Sequence, residues 1–137
     1  MKLAKTVLSA ALVIITLTSA GVLFAQAPGI TRTVVTKADV SVPNREAVLA
    51  RVEIAAGSVV GWHTHPGDEI SYLSDGEVML TLAGQPPRKI TAGQGFVIPA
   101  GVVHNAKNET ATPINLVITY VVEKGKPLAL PAPEPAN

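Results

Sequence analysis

The chain has 137 residues, a formal charge of +1 and only 15% charged residues, so it fits one domain and offers neither a basic stripe for nucleic acid nor an acidic tail. The absence of cysteine excludes disulfides, thiolate metal ligation and a lipidated cysteine. Eleven prolines, eleven glycines and 4% aromatics predict short strands and many turns rather than a helical bundle.

Lys2 and Lys5 precede an apolar run from Thr6 to Ala25, the pattern of a secretory signal peptide or, if retained, a signal anchor over residues 1–25. Ala25-Gln26-Ala27 has the small-x-small cleavage pattern, although Pro28 fits poorly just after that cut, and Thr18-Ser19-Ala20 and the bond after Ala25 are alternatives. Either outcome places the following domain outside the cytoplasm, periplasmic or secreted if cleaved and membrane-anchored if not. Contact with a membrane is then expected only through this segment.

Strands follow. Ile30–Asp39 is β-branched, and Glu46–Ala55 puts Val48, Ala50, Val52 and Ile54 on one face with Arg51 and Glu53 on the other. Further short strands are predicted near Gly61–His65, Ile70–Ser74, Val78–Leu82, Arg88–Ile90, Phe96–Ile98, Val103–Ala106 and Ile114–Val122, with turn residues such as Asp75-Gly76 and Gly84-Gln85-Pro86-Pro87 between them. This pattern predicts an all-β, double-sheet barrel of the jelly-roll type over 30–125. Lys126–Asn137, rich in proline and alanine, reads as a flexible tail.

The three histidines and one glutamate stand out against this frame. His63 and His65 are two apart, so in a strand they share a face; Glu69 lies after the Pro66-Gly67-Asp68 turn and opens the next strand, and His104 comes from a distant one. Gly57 and Gly93 permit turns before the two blocks, and Pro99-Ala100-Gly101 bends the chain so that His104 can enter the barrel. Without an ion these four would have to satisfy one another, and a poorly paired buried carboxylate costs on the order of several kcal/mol. A divalent cation removes that cost. Asn108 reads as a turn residue rather than a ligand.

The same residues resemble the two motifs of the cupins, the group that includes the germins. Gly57, His63, His65, Glu69 and Gly76 stand at the intervals of the first motif, and Gly93, Pro99, Gly101, His104 and Asn108 at those of the second. The likeness covers about Val48 to Val122, and the Glu77–Ala92 stretch between the motifs is short for the family. The resemblance implies a double-stranded β-helix, also called a jelly-roll barrel, with His63, His65, Glu69 and His104 as metal ligands.

Three neutral nitrogens and a carboxylate suit Mn, Fe, Ni, Cu or Zn, with about two coordination positions left for water or substrate. A small-molecule substrate is expected, with Glu69 as a base if it can leave the metal and Tyr72 as a proton donor; a non-catalytic metal- or ligand-binding module is the alternative. The expected lining is Val52, Tyr72, Leu80, Phe96, Ile98 and Leu116, mostly apolar, with Arg51 and Arg88 in solvent; this favours an uncharged or aromatic substrate. Edge strands such as Ile30–Lys37 could pair two copies into a homodimer.

Overall fold

The computed structural model describes residues 27–136. The predicted apolar leader at 1–25 lies outside them.

Alternating apolar residues produce ten strands: β1 (Ile30–Asp39), β2 (Arg45–Ile54), β3 (His63–Thr64), β4 (Gly67–Asp75), β5 (Glu77–Leu82), β6 (Arg88–Thr91), β7 (Gly95–Ile98), β8 (His104–Lys107), β9 (Ile114–Glu123) and β10 (Leu130–Pro131). They form two five-stranded sheets, ordered β1-β2-β9-β4-β7 and β10-β3-β8-β5-β6, and every pairing is antiparallel. This is the expected all-β jelly roll, in which two sheets bury their facing sides against each other.

The long central strands show why the sheets close. β9 buries Ile114, Leu116, Ile118, Tyr120 and Val122 and turns its odd-numbered residues outward, while β2 buries Val48, Ala50, Val52 and Ile54 opposite them. A period of two with one apolar face fixes this register, because a slip of one residue would turn the whole face into water. β1 is an edge strand with little burial beyond Ile30, and its register with β2 shifts between Val34 and Thr36.

Two strands near the ligands differ from the sequence reading. β3 is only two residues long, since Gly61 takes a positive φ of 83° and cannot continue a strand. β4 begins at Gly67, so Glu69 is its third residue rather than its first. Gly67 packs so closely on β9 that an added Cβ would lie 2.6 Å from Val122 Cα, which only glycine permits.

The C-terminal segment is no free tail. Leu130 and Pro131 pair with Thr64 and His63, Ala132 N donates to Trp62 O at 2.9 Å, and Leu128 packs against the core. β3 would otherwise present an open edge, and the segment supplies the missing backbone partner.

Candidate metal centre

Three strands and the residue just after the first of them deliver four side chains to one point. His63 lies on β3 and stands directly opposite His104 on β8, while His65 follows β3 and Glu69 projects from β4 of the other sheet. The His63 and His104 ring centroids are 4.1 Å apart, and those of His63 and His65 are 4.9 Å apart. One donor atom from each of the four residues falls within a set spanning no more than 4.8 Å.

Backbone carbonyls orient the imidazoles. The Nδ1 of His63 donates to Gly61 O at 2.8 Å, that of His65 to Leu128 O at 2.6 Å, and that of His104 to Val102 O at 2.9 Å. A carbonyl oxygen can only accept, so each Nδ1 carries a proton, and Nε2 is the nitrogen through which each ring, when neutral, would bind a cation. The His65 and His104 Nε2 atoms are buried without a hydrogen-bond partner. Yet Glu69 Oε2 sits 2.8 Å from the first and 3.7 Å from the second. A carboxylate oxygen so close to two ring nitrogens needs positive charge between them, which a shared cation would supply and which a proton on the imidazole supplies in its place.

The spacing fits a shared cation. Donors about 2.1 Å from a common ion stand roughly 3 Å apart when adjacent and about 4.2 Å apart when opposite. The other Glu69 oxygen, Oε1, accepts a 2.7 Å hydrogen bond from Ser71 Oγ, which leaves Oε2 aimed at the histidines. Burial alone would raise the Glu69 carboxyl, but His104, His65 and Ser71 together hold it below the ordinary range, so it is a carboxylate. Burial first, and then the neighbouring His104, lowers His63 from 6.5 to about 4, so it is neutral at physiological pH.

A cavity of about 30 Å³, enough for about two water molecules, lies beside these groups. Val52, Leu80, Phe96, Ile98 and Leu116 line it as expected, but Tyr72 does not. Tyr72 is 49% exposed on the outer face of β4. Glu69 and Tyr72 are three apart, and a strand that turns one inward turns the other outward. The aromatic hydroxyl at the cavity belongs to Tyr120, which is fully buried with its ring 4.9 Å from that of His65. Burial, and then the Glu69 charge, push its phenol up, so it keeps its proton.

The lining also contains an arginine that the sequence reading missed. Arg32 of β1 stands opposite Val52 in the β1–β2 register, hence on the inner face, with its guanidinium 5.7 Å from the Tyr120 ring centroid. Arg51 and Arg88 are exposed, as expected.

Asn108 proves to be a structural tie. It is completely buried and donates to the carbonyls of Ile54, Ala55 and Thr112 while accepting from Thr110 N and Oγ1. It thereby fixes the chain between β8 and β9 to the end of β2.

A family model described as "Cupin domain" matches residues 50–123, more than half of the chain. The chain belongs to the cupin family. Among curated relatives, Nectarin-1 of Nicotiana plumbaginifolia is 35% identical over 77 residues, which are 53% of this cupin and 34% of that protein. The cupin therefore spans about a third of that plant relative. Beta-alanine degradation protein BauB of Pseudomonas aeruginosa is 33% identical over 84 residues, covering 60% of this chain and 88% of its own. Among solved structures, a conserved Klebsiella pneumoniae protein with a double-stranded β-helix domain superposes with a TM-score of 0.61 at 20% identity, covering 77% of this chain and 89% of that one. That likeness concerns the fold alone.

Proposed function

We propose that this cupin is a metal-dependent enzyme that converts a small molecule outside the cytoplasm. The observation that carries the reading is the convergence of three imidazole nitrogens and one carboxylate oxygen within 4.8 Å, beside a cavity lined by His63, Glu69 and His104. His63, His65, Glu69 and His104 would hold a Mn, Fe, Ni, Cu or Zn ion, with about two positions left for water or substrate. When bound, such an ion supplies Lewis-acid or redox chemistry.

The residues themselves do the rest. The carbonyls of Gly61, Leu128 and Val102 fix which histidine nitrogen faces inward, and Ser71 fixes which Glu69 oxygen does. Val52, Leu80, Phe96 and Leu116 exclude bulk water from the cavity. Glu69 Oε2 would accept a proton only on leaving the metal, and the Tyr120 hydroxyl is the group placed to donate one. Dioxygenase-like oxidation, elimination and isomerisation all suit this set. BauB is named for degrading a small molecule, which supports a substrate of that size.

A leader over 1–25 would export the domain, and loading outside the cytoplasm would favour copper or zinc by intrinsic affinity. Two copies would pair through edge strands such as β1. The narrowness of the cavity favours one second reading, a non-catalytic metal- or ligand-binding module.

Metal analysis of protein from its native compartment, followed by an oxygen-uptake screen with small phenolic and keto compounds, separates the readings. Uptake that disappears in His104→Ala selects oxidation. Bound metal without turnover of any compound moves the assignment to the binding module, and stoichiometric manganese or iron contradicts the loading argument.

A further inference from the structure

We infer that the metal centre admits only an added ligand of up to about three heavy atoms, with the walls at Leu80, Phe96 and the Arg32–Tyr120 pair acting as the size filter. This rests on the metal reading above and narrows the class of molecule that can meet the ion. Three observations carry it. First, His63, Glu69 and His104 line the cavity and His65 does not, so this space is where an added ligand would reach the ion. It amounts to about 30 Å³, room for about two water molecules. An aromatic or sugar ring exceeds that.

Second, the walls are not built to open. Every lining residue except Val60 sits on a strand, so no connecting loop covers the cavity as a lid. Leu116 and Ile118 belong to β9, which pairs with β2 on one side and with β4 on the other, and Leu80 and Ile98 are buried opposite each other's sheets. Widening the space requires strands to part or close-packed side chains to leave their positions, and an interior of this kind resists both.

Third, the β1 side is already filled. Arg32 stands opposite Val52 in the register, and its guanidinium is engaged with Tyr120, 5.7 Å from the ring centroid. The pair therefore acts as wall. The Tyr120 ring, 4.9 Å from that of His65, continues this wall up to the ligand cluster. What meets the ion is then water or a molecule of two or three heavy atoms, not the ring or carbon skeleton of a larger compound.

The test uses the full chain loaded with cobalt(II), whose visible absorption responds to its ligands, and titrates it at neutral pH with formate, acetate, propionate and benzoate. These acids offer the ion the same carboxylate and differ in size. Formate is expected to shift the spectrum with an affinity about tenfold or more above that of propionate, the fold-change that overpacking a core implies, and benzoate to leave it unchanged. Propionate is the stronger base, so a preference for formate has to come from the walls. Leu80→Ala and the milder Phe96→Leu remove wall volume and should narrow the gap, Leu80→Ala to within about threefold, with thermal unfolding to verify that each variant is folded. The series in wild type needs no variant at all. Equal affinity for formate and propionate, a formate preference undiminished in both folded variants, or a cobalt spectrum that none of the acids moves overturns the assignment. Cobalt content is measured in the same samples: absence of cobalt sinks the metal reading, whereas bound cobalt without size selection sinks only the filter.

Discussion

Removing residues 127–137 tests how far the C-terminal segment belongs to the metal centre. The His65 Nδ1 donates to Leu128 O at 2.6 Å, and β10 pairs with β3 at the position of His63, so two of four ligands lose a neighbour together. Loss of a partner that orients a metal-bound histidine costs about 10- to 100-fold in metal affinity. Stability should fall as well, by about 2–3 kcal/mol, from lost backbone pairing and the partly buried Leu128 side chain. Competition of zinc against a chromophoric chelator, with full-length and truncated apo-protein side by side, reads the first effect, and urea unfolding reads the second. A folded truncated protein that binds zinc within twofold of the full chain would refute the reasoning, because it would show that His65 is oriented without Leu128.

Three further outcomes are expected. Asn108→Ala leaves the buried Ile54 carbonyl and the partly buried Ala55 and Thr112 carbonyls without their shared donor and should destabilise the apo-protein by about 2–3 kcal/mol in urea unfolding, with secondary structure retained. Glu69→Gln keeps the shape and removes the charge, so the rise in melting temperature on adding zinc should largely vanish. For the apo-protein, His63 binds its proton only near pH 4 when folded but at about 6.5 when unfolded, so the unfolded chain holds more protons between those values. Stability should therefore fall as pH drops from 6.5 to 4, by about 3 kcal/mol for this group, and His63→Gln should flatten that part of the urea-midpoint profile.

Particular residues show where sequence reasoning succeeds. The interval between His63 and His65 puts both on one face of any strand, and the alternation of β2 and β9 announces their buried sides. The phase rule that places Tyr72 outside was also available, since it lies an odd number of residues from Glu69, and the same rule puts Tyr120 in step with Leu116 and Ile118. Arg32 is different. β1 reads Ile-Thr-Arg-Thr-Val-Val-Thr-Lys, a pattern with no apolar side to mark as inward, and only the pairing of Arg32 with Val52 decides its direction.

The amino-acid order by itself determined the all-β class, the two ligand blocks and most of the apolar wall, because strand periodicity and donor chemistry are local properties of the chain. Tertiary structure alone decided that the Leu128 carbonyl meets His65, that Arg32 faces the cavity and that the space beside the ligands is only about 30 Å³. Those facts depend on contacts between segments far apart in the chain, such as Leu128 and His65, 63 positions apart, and no local pattern encodes which distant edge a strand will cover.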